Sequence, residues 1–152
     1  MNEIYEVTDL LIQRFKLEEV HTVTYEKTSE IDFNKHNIYP LVNLDIVDAQ
    51  IIDGTNNINY IITVVQQRDW ESVSNNDKLL NKDNLIDNLG ETFRVLQRVI
   101  NGLRNNHNKY DIDIINVGTI NFLKNIQSQD VDGVRVTLTM TIGTGITCDG
   151  DF

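Results

Sequence analysis

Residues 39–67 read YPLVNLDIVDAQIIDGTNNINYIITVVQQ, and this stretch decides the fold that the sequence predicts. Apolar and polar side chains alternate from Val42 to Ile46, and the alternation changes phase after Ile46. Alternation of this kind is typical of a strand with one buried face, and a phase change within it indicates a β-bulge. Residues 53–57, DGTNN, carry the glycine and asparagine that tight turns favour. We therefore predict a β-hairpin of strands 39–52 and 58–67.

Two segments outside the hairpin have the three- and four-residue spacing of apolar side chains that indicates an amphipathic helix. The first is 2–16 and the second is 83–104, with Asp83 or Asn81 as the expected N-cap. The apolar positions are Ile4, Val7, Leu11 and Phe15 in the first segment and Leu85, Leu89, Phe93, Leu96, Ile100 and Leu103 in the second. Gly90 and Gly102 lower helix propensity, so we expect them to mark close packing against a sheet.

Three further segments are rich in β-branched residues and predict strands: 20–28, 111–123 and 134–142. Polar loops are expected at 29–38, 69–82 and 124–132. The resulting order is α-β-β-β-α-β-β, which differs from the regular alternation of a parallel sheet. We predict an α+β fold with a mainly antiparallel sheet of about four to five strands and two helices on one face. A single domain would span 1–142, followed by a Gly-rich acidic tail at 143–152.

The charge balance limits the partners of this chain. Its 152 residues carry a formal net charge of -10 at pH 7. A chain of this charge is repelled by the phosphate backbone, so specific binding to duplex DNA is not expected. No apolar stretch reaches the length of a membrane span, and the acidic N-terminus differs from a signal peptide. We expect no membrane partner.

Residues that commonly carry catalysis or bind metal do not form a recognisable site in the sequence. His21, His36 and His107 lie far apart, whereas zinc sites need local pairs or a converging set. Cys148 is followed by Asp149 and Asp151, whose charges would raise rather than lower the pKa of its thiol. We predict no catalytic residue, no cofactor and no metal, and therefore no enzyme.

Two carboxylates in the hairpin are candidates for an acid–base pair. Asp45 and Asp48 would point to opposite faces of a strand unless the bulge realigns them. An acid–base pair of carboxylates would need both on one face.

Residues suited to protein contacts are easier to find. In 134–142, VRVTLTMTI, the apolar positions alternate with Arg135, Thr137, Thr139 and Thr141. The polar row is either a solvated sheet face or a surface that docks a partner. We predict an interface that includes this row together with Asp53, Gly54, Asn56 and Trp70.

Three segments taken together carry a family resemblance: IYPLVNLDIVDAQIIDGTNNINYIITVVQQRD, NKDNLIDNLGETFRVLQRVINGLR and GVRVTLTMTIGTGITCD. With the short N-terminal helix, this pattern resembles neck and tail-terminator (tail-completion) proteins of tailed bacteriophages, including the crAss-like group and related phages of Bacteroidetes. The resemblance covers most of the chain and rests on element order, length and the general sequence pattern of these segments rather than on one motif.

The resemblance implies a structural subunit of the virion, made in the host cytoplasm. Copies would form a ring, a hexamer or dodecamer, at the head–tail connector or at the tail end. The ring would contact other neck and tail proteins, and DNA would pass through it without specific binding. Two alternatives remain open at this point: a soluble ligand-binding or enzymatic α+β domain, and a phage assembly factor that is absent from the virion.

Overall fold

Two helices and six strands form the part of the chain that the computed structural model describes, namely residues 3–33, 38–69, 84–105, 112–126 and 129–143. The helices are α1 (Glu3–Leu17) and α2 (Leu85–Asn105). The strands are β1 (Thr22–Thr24), β2 (Leu41–Ile52), β3 (Thr55–Gln67), β4 (Asp113–Val117), β5 (Asn121–Leu123) and β6 (Val131–Gly143). The predicted α+β class is confirmed, with one strand more than the predicted order contained.

The strands form one mixed sheet in the order β1-β2-β3-β6-β4, and β5 pairs with β6 beyond the end of β4. Strand β1 runs parallel to β2, and the other pairs are antiparallel. The predicted hairpin is confirmed, since β2 and β3 pair up to Ile52 and Thr55. Gly54 supplies a positive φ of 77° at the turn, and the predicted bulge lies between Ile46 and Asp48.

Both helices pack on one face of the sheet, as predicted. The buried row of β6 consists of Val134, Val136, Leu138, Met140 and Ile142. This row forms one hydrophobic cluster with residues of α1, α2, β2 and β3. Burial of these side chains away from water is the main stabilising contribution to the fold.

The predicted apolar stripe of α2 is buried in the second half of the helix, at Leu96, Ile100 and Leu103, but differs from the observed buried side in the first half. Asn88, Thr92, Val95 and Val99 are buried, whereas Leu89 and Phe93 are only half-buried. The two buried polar side chains are satisfied, since the Asn88 amide donates to Asp132 of β6 and the Thr92 hydroxyl donates to the carbonyl of Asn88 at 2.7 Å.

The prediction about the two helical glycines is wrong. A Cβ on Gly90 would meet no atom within 4 Å, and one on Gly102 would meet the Arg14 side chain of α1 rather than the sheet. The proposed N-caps of α2, Asp83 and Asn81, lie outside the described residues. Asn84 directly precedes the first residue of the helix.

Two predicted strands are shorter than expected. The segment 20–28 pairs only at Thr22–Thr24, because the backbone of Glu26 and Thr28 binds side chains of β2 instead. The segment 111–123 is divided into β4 and β5, and between them the N–H of Gly118 donates to the carbonyl of Thr137 at 2.8 Å. Conversely, β6 begins at Val131, inside the predicted loop 124–132.

The face of the sheet opposite the helices is covered at one end only. There the predicted polar loop 29–38 contributes Ile31 and Phe33 to a second buried cluster. The other members of this cluster are Leu41, Val65, Ile126 and Val131. We call the remainder of this side, which carries Asp48, Asn59 and the alternating row from Arg135 to Thr141, the bare face.

Candidate functional site

The predicted interface residues lie in two places on the sheet. Arg135, Thr137, Thr139 and Thr141 follow one another on the bare face of β6, opposite the buried row. Asp53, Gly54 and Asn56 lie at the end of the hairpin, which is joined to the far end of β6 through the pair Asn57 and Thr141. Arg135 is six residues further along β6, about 20 Å away at 3.3 Å per residue. Trp70 and the rest of its predicted loop up to residue 82 lie outside the described residues.

A row of hydrogen bonds crosses three strands of the bare face. Asp48, Asn59 and Thr139 stand opposite one another in β2, β3 and β6. The Thr139 hydroxyl donates to Oδ1 of Asn59 at 2.6 Å, and the Asn59 amide donates to Oδ1 of Asp48 at 2.5 Å. The row fixes the orientation of these three polar side chains on the bare face.

Arg135 is the one cationic side chain that the described strands carry. It is half-buried, its Nε donates to the hydroxyl of Thr63 at 2.9 Å, and burial lowers the pKa of its guanidinium. No carboxylate in the described part of the chain lies within ion-pair distance of it. A guanidinium can make paired bonds to a carboxylate, so this position is suited to an acidic group from another molecule.

The bulge at Val47 does realign the two carboxylates of β2. Asp45 stands opposite Ile61 and Asp48 opposite Asn59, so both point to the same face of the sheet. Asp45 accepts the N–H and the hydroxyl of Thr28 at 2.8 and 2.7 Å. Asp45 thus holds the segment at Thr28, and Asp48 accepts a hydrogen bond from Asn59 of β3.

The distal part of β2 is exposed along one edge. Strand β1 pairs only with residues 41–43 of β2, so Ile46–Ile52 has a paired neighbour, β3, on one side alone within the described structure. All seven residues are exposed, and Ile51 at the hairpin end is 84% exposed. Exposed apolar strand edges pair readily with other strands.

An open groove of about 430 Å³ lies beside this edge, between α1 and β2. Its walls are formed by Ile4, Tyr5, Thr8, Asp9, Ile12, Tyr25 and Ile46. The Thr8 hydroxyl lies 2.9 Å from the hydroxyl of Tyr60, whose pKa is raised by burial. Burial, followed by the nearby Asp9 and Tyr5, also raises the pKa of Tyr25. The groove is therefore apolar with acidic character, and it was not predicted because its walls come from three separate segments: α1, the residue after β1 and β2.

A buried ion pair was also not predicted from the sequence. Nη2 of Arg68, at the end of β3, donates to Oδ1 of Asp132 in β6 at 2.6 Å. The same carboxylate accepts the N–H of Asn125 and the amide of Asn88. Asp132 is fully buried, and this node connects the sheet, α2 and the turn before β6. In the sequence, Asp132 falls in the segment 124–132 that we predict as a polar loop.

The described residues contain no group of three or more His, Cys, Asp or Glu side chains that could hold a metal ion. His36, His107 and Cys148 lie outside the described ranges. None of the helices within those ranges is both long and apolar enough to cross a membrane. No protein-family model matches the chain, and no curated protein matches it significantly.

Proposed function

We propose that this chain is a structural subunit that assembles with copies of itself into a ring in a tailed-phage virion, as a neck or tail-terminator protein. The observation that carries the proposal is the hairpin end, where Ile51 is 84% and Ile52 44% exposed. Apolar side chains at the end of a long hairpin gain from burial against a partner.

Charge complementarity supports a contact between two different surfaces. The hairpin end carries the exposed carboxylate of Asp53, whereas the bare face carries the guanidinium of Arg135. A contact between two different patches is heterologous, and such contacts close into rings when the rotation between subunits permits. We therefore propose that the hairpin end of one subunit binds the bare face of the next, as a hexamer or dodecamer.

The net charge of -10 suits a ring through which DNA slides. Phosphates are repelled by carboxylates, so DNA would pass without binding. In this proposal Asp and Glu side chains concentrate on the lumen of the ring, and other neck and tail proteins bind its two ends. An image of the ring with a neutral or basic lumen would contradict this part of the proposal.

The first test changes one exposed isoleucine at the proposed contact. Ile51→Lys places a charge at the hairpin end, whereas Ile86→Lys makes the same change at a 57% exposed isoleucine on α2. Native mass spectrometry of the full chain should show that the Ile51 variant loses the ring, whereas the Ile86 variant keeps it. Equal behaviour of the two variants would exclude the hairpin end as the contact.

The second test exchanges the two charges. Asp53→Arg and Arg135→Asp should each weaken assembly, because each places like charges together. The double variant restores an opposite pair and should recover the ring. Failure of the double variant to recover assembly, with both single variants folded, would refute the proposed pairing.

The groove between α1 and β2 favours a second candidate function, a small-ligand-binding domain. Its volume is about 430 Å³ and its walls are mainly apolar, as in many ligand sites. A ligand that binds only the folded state raises the melting temperature. A small-molecule screen by thermal shift would support this candidate if a specific stabiliser were found and lost its effect in Tyr25→Ala.

The third alternative is an assembly factor that leaves before maturation. It predicts the same surface features of this chain as the main proposal. Mass spectrometry of purified phage particles separates it from the main proposal. Presence of the chain in the particles is expected for a virion subunit, whereas its absence would favour the assembly factor.

A further inference from the structure

The free edge of β2 begins where the chain itself leaves the sheet. Strand β1 pairs with β2 up to Thr24 and Asn43. The next residues cross to the opposite face, where the N–H of Glu26 binds Oδ1 of Asn43 at 2.9 Å. Among residues 3–33, 38–69, 84–105, 112–126 and 129–143, no strand continues the line of β1 along Ile46–Ile52. An extended segment of six or seven residues could continue that line by hydrogen bonding to β2.

The two sides of this free edge differ in chemistry. Ile46, Ala49 and Ile51 point to the helix side, as their partners Tyr60, Ile58 and Asn56 show. Asp48 and Gln50 point to the bare face. Successive side chains of an added strand would point to opposite sides of the sheet. One set would lie beside the groove that Ile46 and Tyr25 line, and the other set would lie beside Asp48.

Charge decides which kind of strand fits. No lysine or arginine occurs between residues 38 and 67, whereas Asp45 and Asp48 lie in β2, Asp53 lies in the turn that follows it, and Asp9 lies in the groove wall. A second copy that paired through β2 would bring like charges together, which destabilises a sheet. The opposite edge of the sheet, strands β4 and β5, also lacks basic residues. This chain therefore offers no complementary strand from its described sheet.

We infer that the free edge Ile46–Ile52 and the adjoining groove bind an extended segment of another protein in which large apolar and basic residues alternate. The segment adds as a strand to β2, its apolar side chains cover Ile46 and enter the groove, and its basic side chains lie near Asp45 and Asp48. This inference goes beyond the proposed ring, because its partner is a different chain and its contact is the strand edge rather than the bare face.

Three synthetic peptides test the inference with the full-length protein. The probe is Lys-Val-Lys-Val-Lys-Val-Lys. One control has the same composition without alternation, Lys-Lys-Val-Val-Val-Lys-Lys, and the other replaces each lysine by glutamate. The alternating basic peptide should bind at least about tenfold more tightly than either control by isothermal titration calorimetry. Equal binding of the two basic peptides would mean non-specific charge attraction and would overturn the inference, as would no binding.

Paired protein variants locate the site. Asp48→Lys should weaken binding of the alternating peptide roughly threefold to tenfold, whereas Asp113→Lys on β4, with the same change of net charge, should leave it unchanged. Tyr25→Ala should weaken binding through the groove, and Ile115→Ala, on the opposite edge, should not. Weakening by both members of a pair would overturn the location.

Hydrogen exchange supplies a direct readout of strand addition. The alternating peptide should slow exchange of backbone amides within 46–52, and protection confined to any other segment would contradict the inference. The charge exchange between Asp53 and Arg135, which lie outside Ile46–Ile52, tests the ring, whereas Ile51→Lys would disturb both contacts because Ile51 belongs to the free edge. Loss of peptide binding and loss of the ring are thus measured by different variants.

Discussion

At the scale of single residues, Gly133 shows how a position inside a strand can require glycine. A Cβ on this residue would lie 1.8 Å from the backbone carbonyl oxygen of Val64, which is far inside van der Waals contact. From the sequence we predict a polar loop at 124–132 that ends at this glycine, because Asp132-Gly133 has the composition of a turn. Close approach between two backbones leaves no pattern in side-chain periodicity.

The first prediction follows from this contact. Gly133→Ala should lower the free energy of unfolding by about 1–3 kcal/mol or more, since β3 and β6 must move apart. Gly143→Ala, in the same strand, meets no atom within 4 Å and should change it by less than about 0.5 kcal/mol. Urea unfolding of both variants checks the difference, and equal stabilities would show that the strands separate without cost.

The buried carboxylate of Asp132 gives the second prediction. Asp132→Asn removes the charge that balances Arg68 in the interior, so it should lower the free energy of unfolding by about 3–5 kcal/mol. Asp113→Asn, at an exposed carboxylate, should change it by less than about 0.5 kcal/mol. A small effect of Asp132→Asn would mean that water solvates the guanidinium of Arg68 in the variant.

The same group predicts the direction of pH dependence. Burial alone would raise the pKa of Asp132, but hydrogen bonds from Arg68, Asn125 and Asn88 and the charge of Arg68 outweigh it and lower the pKa. Because the folded-state pKa lies below the unfolded value of about 3.9, this stabilisation is complete above about pH 4. It disappears as the pH falls through the folded-state pKa. The stability advantage of the wild type over Asp132→Asn should therefore shrink below pH 4, and a constant advantage would contradict the assignment.

At the scale of elements, the side chain of Asn43 holds the segment that follows β1. Its Oδ1 accepts the N–H of Glu26 and the hydroxyl of Thr24, and its Nδ2 donates to the carbonyl of Glu26 at 2.8 Å. Asn43 is fully buried, so loss of its amide leaves backbone groups without partners.

The third prediction concerns this segment. Asn43→Ala should lower the free energy of unfolding by about 1–3 kcal/mol and speed exchange at the amides of Glu26 and Thr28. The matched change Asn57→Ala, at a half-buried asparagine of the neighbouring strand, should do neither. Unchanged exchange in the first variant would show that other contacts hold the segment.

Regular elements were the most predictable part of this chain. Both helices, the hairpin, its bulge and the alternation of β6 follow from periodicity, because each buries one continuous face. The limits of β1 within the predicted strand 20–28 and the division between β4 and β5 were not predictable, because they depend on distant partners: Asn43 and Asp45 for the first and Thr137 for the second. The groove is lined by three segments that are distant in the sequence, so no local pattern indicates it.

At the scale of the whole molecule, the sheet has one face covered by helices and another that is only partly covered. On the uncovered part, the acidic hairpin end and Arg135 lie at different positions of the same surface. Arg135 is the one cationic side chain in the described strands. This arrangement leads to the central proposal, in which the end of one subunit binds the face of the next.

The mass of the pure, full-length protein in solution tests this proposal most directly. Light scattering over a range of concentrations should give a multiple of the 17.5 kDa chain mass, six or twelve copies, and electron micrographs of the same sample should show closed rings. A mass of 17.5 kDa at every concentration, without rings in the images, would contradict the account.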